Sequence, residues 1–295
     1  MLTLKCEDLT PMQLQNYLQY AIAPRPICLA STIDAEGNVN LSPFSFFNLF
    51  STNPPVCVFS PARRVRDNTT KHTLENIEET GECVVNIVSY AMVQQTSLSS
   101  TEYGKGVNEF DKAGFTMETS HLITPPRVAE APVQLECVVS QIIPLGDQHG
   151  AGNLVLAEIK VIHVKEDILD AEGKIDQQKI DLVARLGGNW YSRVTPESLF
   201  TVPKPLTTLG IGVDALPLSV RRSKVLSGND LGLLGNEEHL PTEEEVSDMQ
   251  WNANVKDILD ATIGDETNRE RELHEFAKEL IAYGKVADAL KVLLL

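Results

Sequence analysis

Residues 27–164 contain short apolar runs separated by glycine, proline and polar turns, and this pattern constrains the fold more than any other feature. The runs on either side of Asp34-Ala35-Glu36-Gly37 predict a β-hairpin that turns at Gly37. Four further runs read as strands: PPVCVFS at 54–60, ECVVNIVS at 82–89, VQLECVVSQIIPLG at 133–146 and LVLAEIKVIHVKED at 154–167. Many strands, few early helices and no βαβ repeat predict a mainly β fold, an antiparallel barrel rather than a doubly wound sheet.

The character of the sequence changes after about Pro205. A loop-rich stretch is followed by a capping box of Thr242 and Glu245, which predicts a helix whose apolar side continues to Leu259. A second helix is predicted over residues 266–283. We therefore expect a first domain at 1–204 with peripheral helices, and a loop-rich, then helical C-terminal extension at 205–295.

The composition is that of a globular protein, with 42% apolar and 22% charged residues. No apolar run approaches the roughly 20 residues that a membrane span needs, and the first residues lack the features of a secretory signal. We therefore expect a cytoplasmic protein without membrane contact. The formal net charge of -16 argues against a nucleic-acid partner, which requires a broad basic face.

The five cysteines are scattered and form no CxxC motif, and the histidines form no HExxH motif. Four of the cysteines lie in apolar runs, so we expect buried, reduced thiols. No metal site is expected.

One short stretch opposes the acidic balance of the chain. RRVRDNTTKHT, residues 63–73, holds three arginines and a lysine against a single aspartate. Guanidinium and ammonium groups, with threonine hydroxyls and backbone N–H groups beside them, suit the oxygens of a phosphate. The alternative is a solvated loop whose charges merely face water.

The segments around this stretch resemble the flavin reductase-like FMN-binding split-barrel family, which includes flavoredoxin-like proteins. The resemblance rests on PRPI at 24–27, the Ser-Thr pair at 31–32, NLSPFSFF at 40–47 and KHT at 71–73. NEFDKAGF, ITPPRVAEAPVQLEC and RLGGNWY follow in the family's order, so the resemblance covers roughly residues 15–200. It implies an antiparallel FMN-binding split β-barrel and a homodimer with FMN at the subunit interface.

The resemblance also implies roles for individual residues. The phosphate of FMN is expected on the loop after the third strand, at Arg63, Arg64, Asn68, Thr69, Lys71 and Thr73. The remaining cofactor contacts are expected from Ser31, Thr32, Asn40, Ser42, Pro43, Phe44 and Ser45, the last five beside the isoalloxazine ring. His72 stands where the family has Asp, which makes this loop less negative. Catalytic contacts are expected from His149, Arg185 and Tyr191, for which a turn histidine, a surface ion pair and a core aromatic are the alternatives.

The function implied is that of an FMN-dependent oxidoreductase. NADH or NADPH would reduce FMN, which would pass electrons to free flavin, a protein or a small acceptor. A non-catalytic FMN electron carrier needs the same phosphate loop and stays open as an alternative. An enzyme similar to pyridoxine phosphate oxidase is a further alternative, although it would need a second basic cluster, for which only Arg185 and Arg193 are candidates.

Overall fold

The computed structural model describes all residues from 1 to 295 and consists of two compact units, Met1–Phe200 and Thr201–Leu295. The division lies a few residues before the domain boundary expected from the sequence. No helix in the chain combines the length and the apolarity needed to cross a lipid bilayer.

The first unit is built on twelve strands, and every strand pair is antiparallel. The strands are β1 Arg25–Pro26, β2 Cys28–Ile33, β3 Val39–Phe44, β4 Phe47–Thr52, β5 Pro55–Phe59, β6 Glu82–Ile87, β7 Met117–Glu118, β8 Arg127–Val128, β9 Val133–Pro144, β10 Asn153–Val164, β11 Val183–Arg185 and β12 Tyr191–Arg193. Seven of them form one sheet in the order β3-β2-β6-β9-β10-β5-β4, while β1-β11-β12 and β7-β8 form two small sheets. The edge strands β3 and β4 do not pair with each other, so the large sheet stays open. The predicted antiparallel β architecture is confirmed.

The hairpin predicted around Gly37 is present. Strands β2 and β3 pair from Cys28↔Phe44 to Ile33↔Val39, and Gly37 has a φ of 90°, a left-handed conformation that favours glycine. The strands predicted near 54–60, 82–89, 133–146 and 154–167 correspond to β5, β6, β9 and β10.

The first unit also contains four α-helices: α1 Pro11–Ala21, α2 His72–Thr80, α3 Val93–Leu98 and α4 Glu109–Ala113. Helix α1 begins with a capping box between Thr10 and Gln13, a signal that the sequence reading missed. Helix α2 begins at His72 and is followed by Gly81, whose left-handed φ of 70° ends it. Its first turn therefore belongs to the basic stretch at 63–73.

The core between the sheet faces includes four cysteines, Cys28, Cys57, Cys83 and Cys137, each at most 1% exposed. None of them forms a disulfide, so the expectation of buried thiols is confirmed. Burial raises the pKa of the Cys28 thiol well above its usual value, which keeps it protonated and unreactive.

The second unit contains six helices around its own apolar core. They are α5 Leu218–Arg221, α6 Gly228–Gly235, α7 Glu243–Met249, α8 Ala253–Ala261, α9 Glu266–Ala282 and α10 Val286–Leu293. The capping box of Thr242 and Glu245 is present. The single helix expected up to Leu259 was wrong, because Asn252 caps a new helix by accepting hydrogen bonds from the N–H groups of Asn254 and Val255.

Candidate functional site

The basic stretch forms a loop between β5 and α2, and part of its polar inventory holds the loop together. Arg63 donates from Nε to Asn68 Oδ1 over 2.9 Å and from Nη2 to the Asn68 carbonyl over 2.7 Å. Asn68 adopts a left-handed φ of 60°, which asparagine tolerates better than most residues. Two of the predicted phosphate contacts, Arg63 and Asn68, therefore shape the loop with their side chains.

Arg64 is bonded along the same loop. Its Nη1 donates to Thr69 Oγ1 over 2.9 Å and also to the Thr70 carbonyl. The hydroxyl of Thr69 itself donates to Asp67 over 2.6 Å. The Arg64 side chain is only 14% exposed, and its Nε lies 3.5 Å from a carboxylate oxygen of Glu102. Its guanidinium is thus held in place and still faces an anionic group.

The glycine-rich turn between β9 and β10 packs on this loop. His149 Nδ1 lies 2.7 Å from the Val65 carbonyl, and Asn68 Nδ2 donates to the Asp147 carbonyl over 2.9 Å. The Arg63 N–H donates to the Ala151 carbonyl over 2.8 Å. His149, expected near the reacting groups, is placed instead where it supports the loop.

The loop ends at the N-terminus of α2. No side chain caps this helix, so the N–H groups of His72 and Thr73 are available to an external acceptor. Lys71 occupies the N-cap position, and burial together with nearby Arg64 lowers the pKa of its ammonium group. Burial also lowers the pKa of His72, which is therefore mainly neutral at pH 7. An open helix N-terminus beside a lysine and an arginine is a site for a phosphate or a carboxylate.

A buried polar network connects this helix to the sheet. Asn40 Nδ2 donates to Thr73 Oγ1 over 2.9 Å, and Asn76 Nδ2 donates to Thr32 Oγ1 over 3.1 Å. All four side chains are at most 6% exposed. Ser31 is fully buried as well and donates to the Pro126 carbonyl. These side chains, of Ser31, Thr32, Asn40 and Thr73, therefore form hydrogen bonds inside the fold. They do not face a cofactor.

A cavity of about 800 Å³ lies beyond the other end of β3. Pro43, Phe44, Ser45, Arg185 and Tyr191, five of the predicted site residues, line it. Ser42 is half-buried and lies outside this lining. The remaining lining residues are Ile27, Tyr90, Val93, Gln94, Thr96, Ser97, Ser100, Val183, Asn189, Ser192 and Arg193. Most of these were missed, because the short segment from Tyr90 to Ser100 carries no local pattern that points to a ligand.

Two arginines stack on tyrosines in the cavity lining. The Arg185 guanidinium carbon lies 4.5 Å from the Tyr191 ring centre, and that of Arg193 lies 3.8 Å from the Tyr90 ring centre. Arg193 also forms a bidentate pair with Asp181, at 2.7 and 2.9 Å. No aspartate or glutamate lines the cavity, so Arg185 gives it a positive potential within an acidic chain.

Arg25 fixes the elements around this cavity. It is 8% exposed and donates to the carbonyls of Gln19 and Ile22 at the end of α1, both over 2.7 Å. It also donates to the Leu186 carbonyl over 3.2 Å and lies 3.5 Å from Ser45 Oγ. A buried arginine is rare unless its donors are satisfied, and here they join α1, Ser45 and the β11–β12 loop.

The glycines of the β11–β12 loop allow α1 to approach closely. A Cβ atom at Gly187 would lie 2.2 Å from the Tyr20 ring, and one at Gly188 would lie 2.6 Å from the Tyr20 hydroxyl. Gly188 also has a φ of 58°. Any larger side chain would push this loop away from α1 and move Arg185 and Tyr191, which flank it.

The basic loop and the cavity are neighbours. Asn40, near the start of β3, bonds the first turn of α2, whereas Phe44 at the end of β3 lines the cavity. At about 3.4 Å per residue, these positions are about 14 Å apart along the strand. A second connection runs through Ser100, which lines the cavity, and Glu102, which contacts Arg64. An elongated ligand with an anionic end could therefore reach both places.

Known proteins share this arrangement of elements. The family model described as Flavin reductase like domain matches residues 20–179, more than half of the chain. Nitrilotriacetate monooxygenase component B from Bacillus cereus is 28% identical, with a TM-score of 0.64 over 68% of this chain and 98% of that protein. The 2-nitrobenzoate 2-nitroreductase NbaA of Pseudomonas fluorescens is 29% identical, with a TM-score of 0.61 over 71% of this chain and 100% of that protein.

A third solved structure carries the architecture in its description. It is a Shewanella frigidimarina protein assigned as a flavin reductase with a split barrel domain, 26% identical, with a TM-score of 0.58 over 67% of this chain and 95% of that protein. The expected likeness to split-barrel proteins is therefore confirmed. The family match ends before the second unit begins. Through residues 20–179, this chain belongs to the flavin reductase like family.

Proposed function

We propose that this protein is an FMN-binding oxidoreductase that takes electrons from NADH or NADPH and passes them to an acceptor. The observation that carries the proposal is the position of the basic loop and the arginine-lined cavity at opposite ends of β3. An elongated ligand with a terminal phosphate and an aromatic body fits this arrangement, and the family membership supports a flavin as that ligand.

The donors at the loop suit the phosphate of FMN. Arg64 offers a fixed guanidinium, Lys71 offers an ammonium group, and the open N-terminus of α2 offers backbone N–H groups. Glu102 forms its ion pairs with Arg64 and Arg66, and although its charge also favours the nearby Lys71 ammonium group, it forms no ion pair with that group. We propose that these groups, rather than Arg63 and Asn68, contact the phosphate directly, and that Arg63, Asn68 and His149 keep the loop in shape.

The ring of the flavin is assigned to the cavity side of β3. Pro43, Phe44 and Ser45 line that side, and Arg25 keeps Ser45 in position from behind. When bound, FMN supplies the two-electron chemistry, because its ring accepts electrons from a nicotinamide and releases them to an acceptor. The cavity lining contains no aspartate, glutamate, histidine, lysine or cysteine. The chain therefore contributes position, exclusion of water and a positive potential rather than an obligatory acid or base.

Arg185 is assigned to the substrate side of the cavity. Its stacking on Tyr191 and its hydrogen bond to the Gly188 carbonyl fix the guanidinium in the cavity lining. A positive, carboxylate-free cavity favours an anionic partner, such as the phosphates of NAD(P)H or an aromatic carboxylate. The similar nitroreductase NbaA is named for 2-nitrobenzoate, an anionic aromatic acceptor. We place an anionic nucleotide or acceptor here.

A homodimer is part of the proposal. Helix α1 has no buried residue, and its Tyr17 and Tyr20 side chains are at least half exposed. Phe50 on edge strand β4 is 70% exposed. Large exposed apolar side chains of this kind are typical of a surface that a partner subunit covers.

The proposed function is tested by an anaerobic titration with NADH. Protein is saturated with FMN and desalted, and the visible flavin absorption is followed as NADH is added. We expect the absorption to fall in proportion to the added NADH. Protein that stays yellow with both NADH and NADPH would instead be an electron carrier reduced by another protein, and protein that loses its colour on desalting would use FMN as a substrate.

Replacement of Arg185 tests the substrate side. We expect Arg185→Gln to raise the KM for the nicotinamide nucleotide or anionic acceptor about tenfold, since one hydrogen bond to a charged group contributes about 1.5 kcal/mol or more. FMN affinity should change much less. Arg185→Lys keeps the charge and should restore most of the loss in steady-state kinetics. A KM that is unchanged in both variants would remove Arg185 from the site.

A further inference from the structure

A carboxylate from outside the basic loop pairs with two of its arginines. Glu102 follows α3 in the chain, and its two oxygens lie 3.5 Å from Arg64 Nε and 3.3 Å from Arg66 Nη1. Arg64 is largely buried, whereas the Glu102 side chain is 44% exposed. The carboxylate therefore occupies a position from which it can be displaced, beside a cation that cannot move away.

The charges around this position are unevenly distributed. Lys71 lies close enough to Arg64 for the two charges to repel, and Arg64, Lys71 and Lys105 all disfavour a positive charge on His72. Two other acidic residues in the neighbourhood have partners of their own. Glu75 accepts from Thr70 Oγ1 over 2.5 Å, and Asp67 accepts from the Thr69 hydroxyl and from Arg66.

Glu102 is thus the carboxylate that offsets the charge of Arg64. It satisfies Arg64 at one oxygen only, and without bidentate geometry. A phosphate has more acceptor oxygens and a higher charge, so it can replace the carboxylate on Arg64 and also reach Lys71. A ligand with a single negative charge and fewer acceptor oxygens gains less binding energy by replacing the Glu102 carboxylate.

We infer that Glu102 is an internal competitor for the phosphate of the ligand, occupying Arg64 until a phosphate displaces it. Glu102 then lowers the affinity of the loop for every anion, FMN included, and a phosphate overcomes this competition best because of its charge and its number of acceptor oxygens. The inference rests on the proposed placement of the FMN phosphate in this loop.

The test compares FMN with riboflavin, which has the same ring and no phosphate. Dissociation constants for both flavins are measured by fluorescence titration in wild type, Glu102→Gln and Glu118→Gln. Glu118 is a matched control, because it is 50% exposed and pairs at 3.3 Å with Arg127, which is 12% exposed. Inorganic phosphate serves as a competitor in each titration.

We expect Glu102→Gln to bind FMN about fivefold more tightly, the factor that corresponds to the upper end of an exposed ion pair. Inorganic phosphate should compete at correspondingly lower concentrations, while the affinity for riboflavin and the behaviour of Glu118→Gln stay at the wild-type level. FMN binding that is unchanged or weaker in Glu102→Gln, in a protein that prefers FMN to riboflavin, overturns the inference and leaves the phosphate placement intact. A wild type that binds FMN and riboflavin equally would overturn the phosphate placement, and the inference with it.

Discussion

Reversing the charges of Arg64 and Lys71 together, as Arg64→Glu with Lys71→Glu, is expected to weaken FMN binding about 100-fold or more. Each charge-assisted hydrogen bond contributes about 1.5–3 kcal/mol, and two such donors are replaced by groups that repel a phosphate. Riboflavin affinity should change less than threefold, on the order of what a few tenths of a kcal/mol produces. Fluorescence titrations with both flavins measure the effect.

Arg66→Glu provides the control for this experiment. Arg66 lies in the same loop and undergoes the same charge change, but its side chain is 74% exposed and pairs with Asp67 and Glu102. Its replacement should weaken FMN binding by less than about fivefold, as expected for an exposed charge. If the double variant retains wild-type FMN affinity, the phosphate lies elsewhere in the protein.

Arg64 also holds its own loop through Thr69 and Thr70, so part of the loss could come from a distorted loop. Lys71→Gln separates the two causes, because no hydrogen bond of the loop uses the Lys71 ammonium group. This single variant should still bind FMN about tenfold more weakly, since it loses one charge-assisted contact. Circular dichroism of each variant shows whether the fold is kept.

The position of this loop was predictable because its composition opposes that of the chain. Four cations in eleven residues of a protein with a net charge of -16 stand out without any structural information. Which side chains of the loop stabilise it and which are available to a ligand was not predictable. Whether a donor such as Arg63 faces a ligand or the Asn68 carbonyl depends on how the loop closes, and a left-handed Asn68 is not visible in a sequence pattern.

The cavity lining could also be predicted only in part from the sequence. Pro43, Phe44 and Ser45 could be proposed from a motif, since they are consecutive in the chain. Tyr90, Ser97 and Ser100 join them only because α3 packs near the end of β3. The buried positions of Thr32 and Asn40 also depend on tertiary packing, because a strand pattern does not reveal which face a helix covers.

Strands were predicted better than helices for a physical reason. A continuous apolar run such as that of β5 belongs to a strand that is buried on both faces, and it can be recognised in the sequence without knowing which strands pair with it. Helix α1 was missed although the capping box of Thr10 and Gln13, with Pro11 in its first turn, marks its start. The break between α7 and α8 depends on one asparagine cap, which interrupts an otherwise continuous apolar side.

The largest effect on stability is expected at Glu136, a fully buried carboxylate on β9. It accepts hydrogen bonds from the N–H groups of His121 and Leu122, each over 2.6 Å, and lies 2.7 Å from His163 Nε2 on β10. It thereby ties the segment between β7 and β8 to the large sheet. An amide in its place would direct N–H donors at a backbone N–H that already needs an acceptor.

We expect Glu136→Gln to lower the free energy of unfolding by about 3 kcal/mol, the cost of breaking a buried charged network on one side. For a unit of this size, that corresponds to a decrease in Tm of about 6–12 °C. Glu158→Gln is the matched control, because Glu158 on the neighbouring strand β10 forms a partly exposed pair with Lys160 at 2.6 Å. That control should lose less than about 1 kcal/mol.

The difference between Glu136→Gln and wild type should depend on pH in a defined direction. Burial alone would raise the pKa of Glu136, but the two N–H donors and His163 outweigh it, and the pKa is lowered below the usual 4.5. A lowered pKa means that the folded protein releases this proton more readily than the unfolded chain. The contribution of the ionised carboxylate is therefore complete above pH 4.5 and is lost as the pH falls through its folded pKa. Urea unfolding of both proteins should show the stability gap closing in acid, and a gap that is absent at neutral pH would show that this carboxylate does not stabilise the fold.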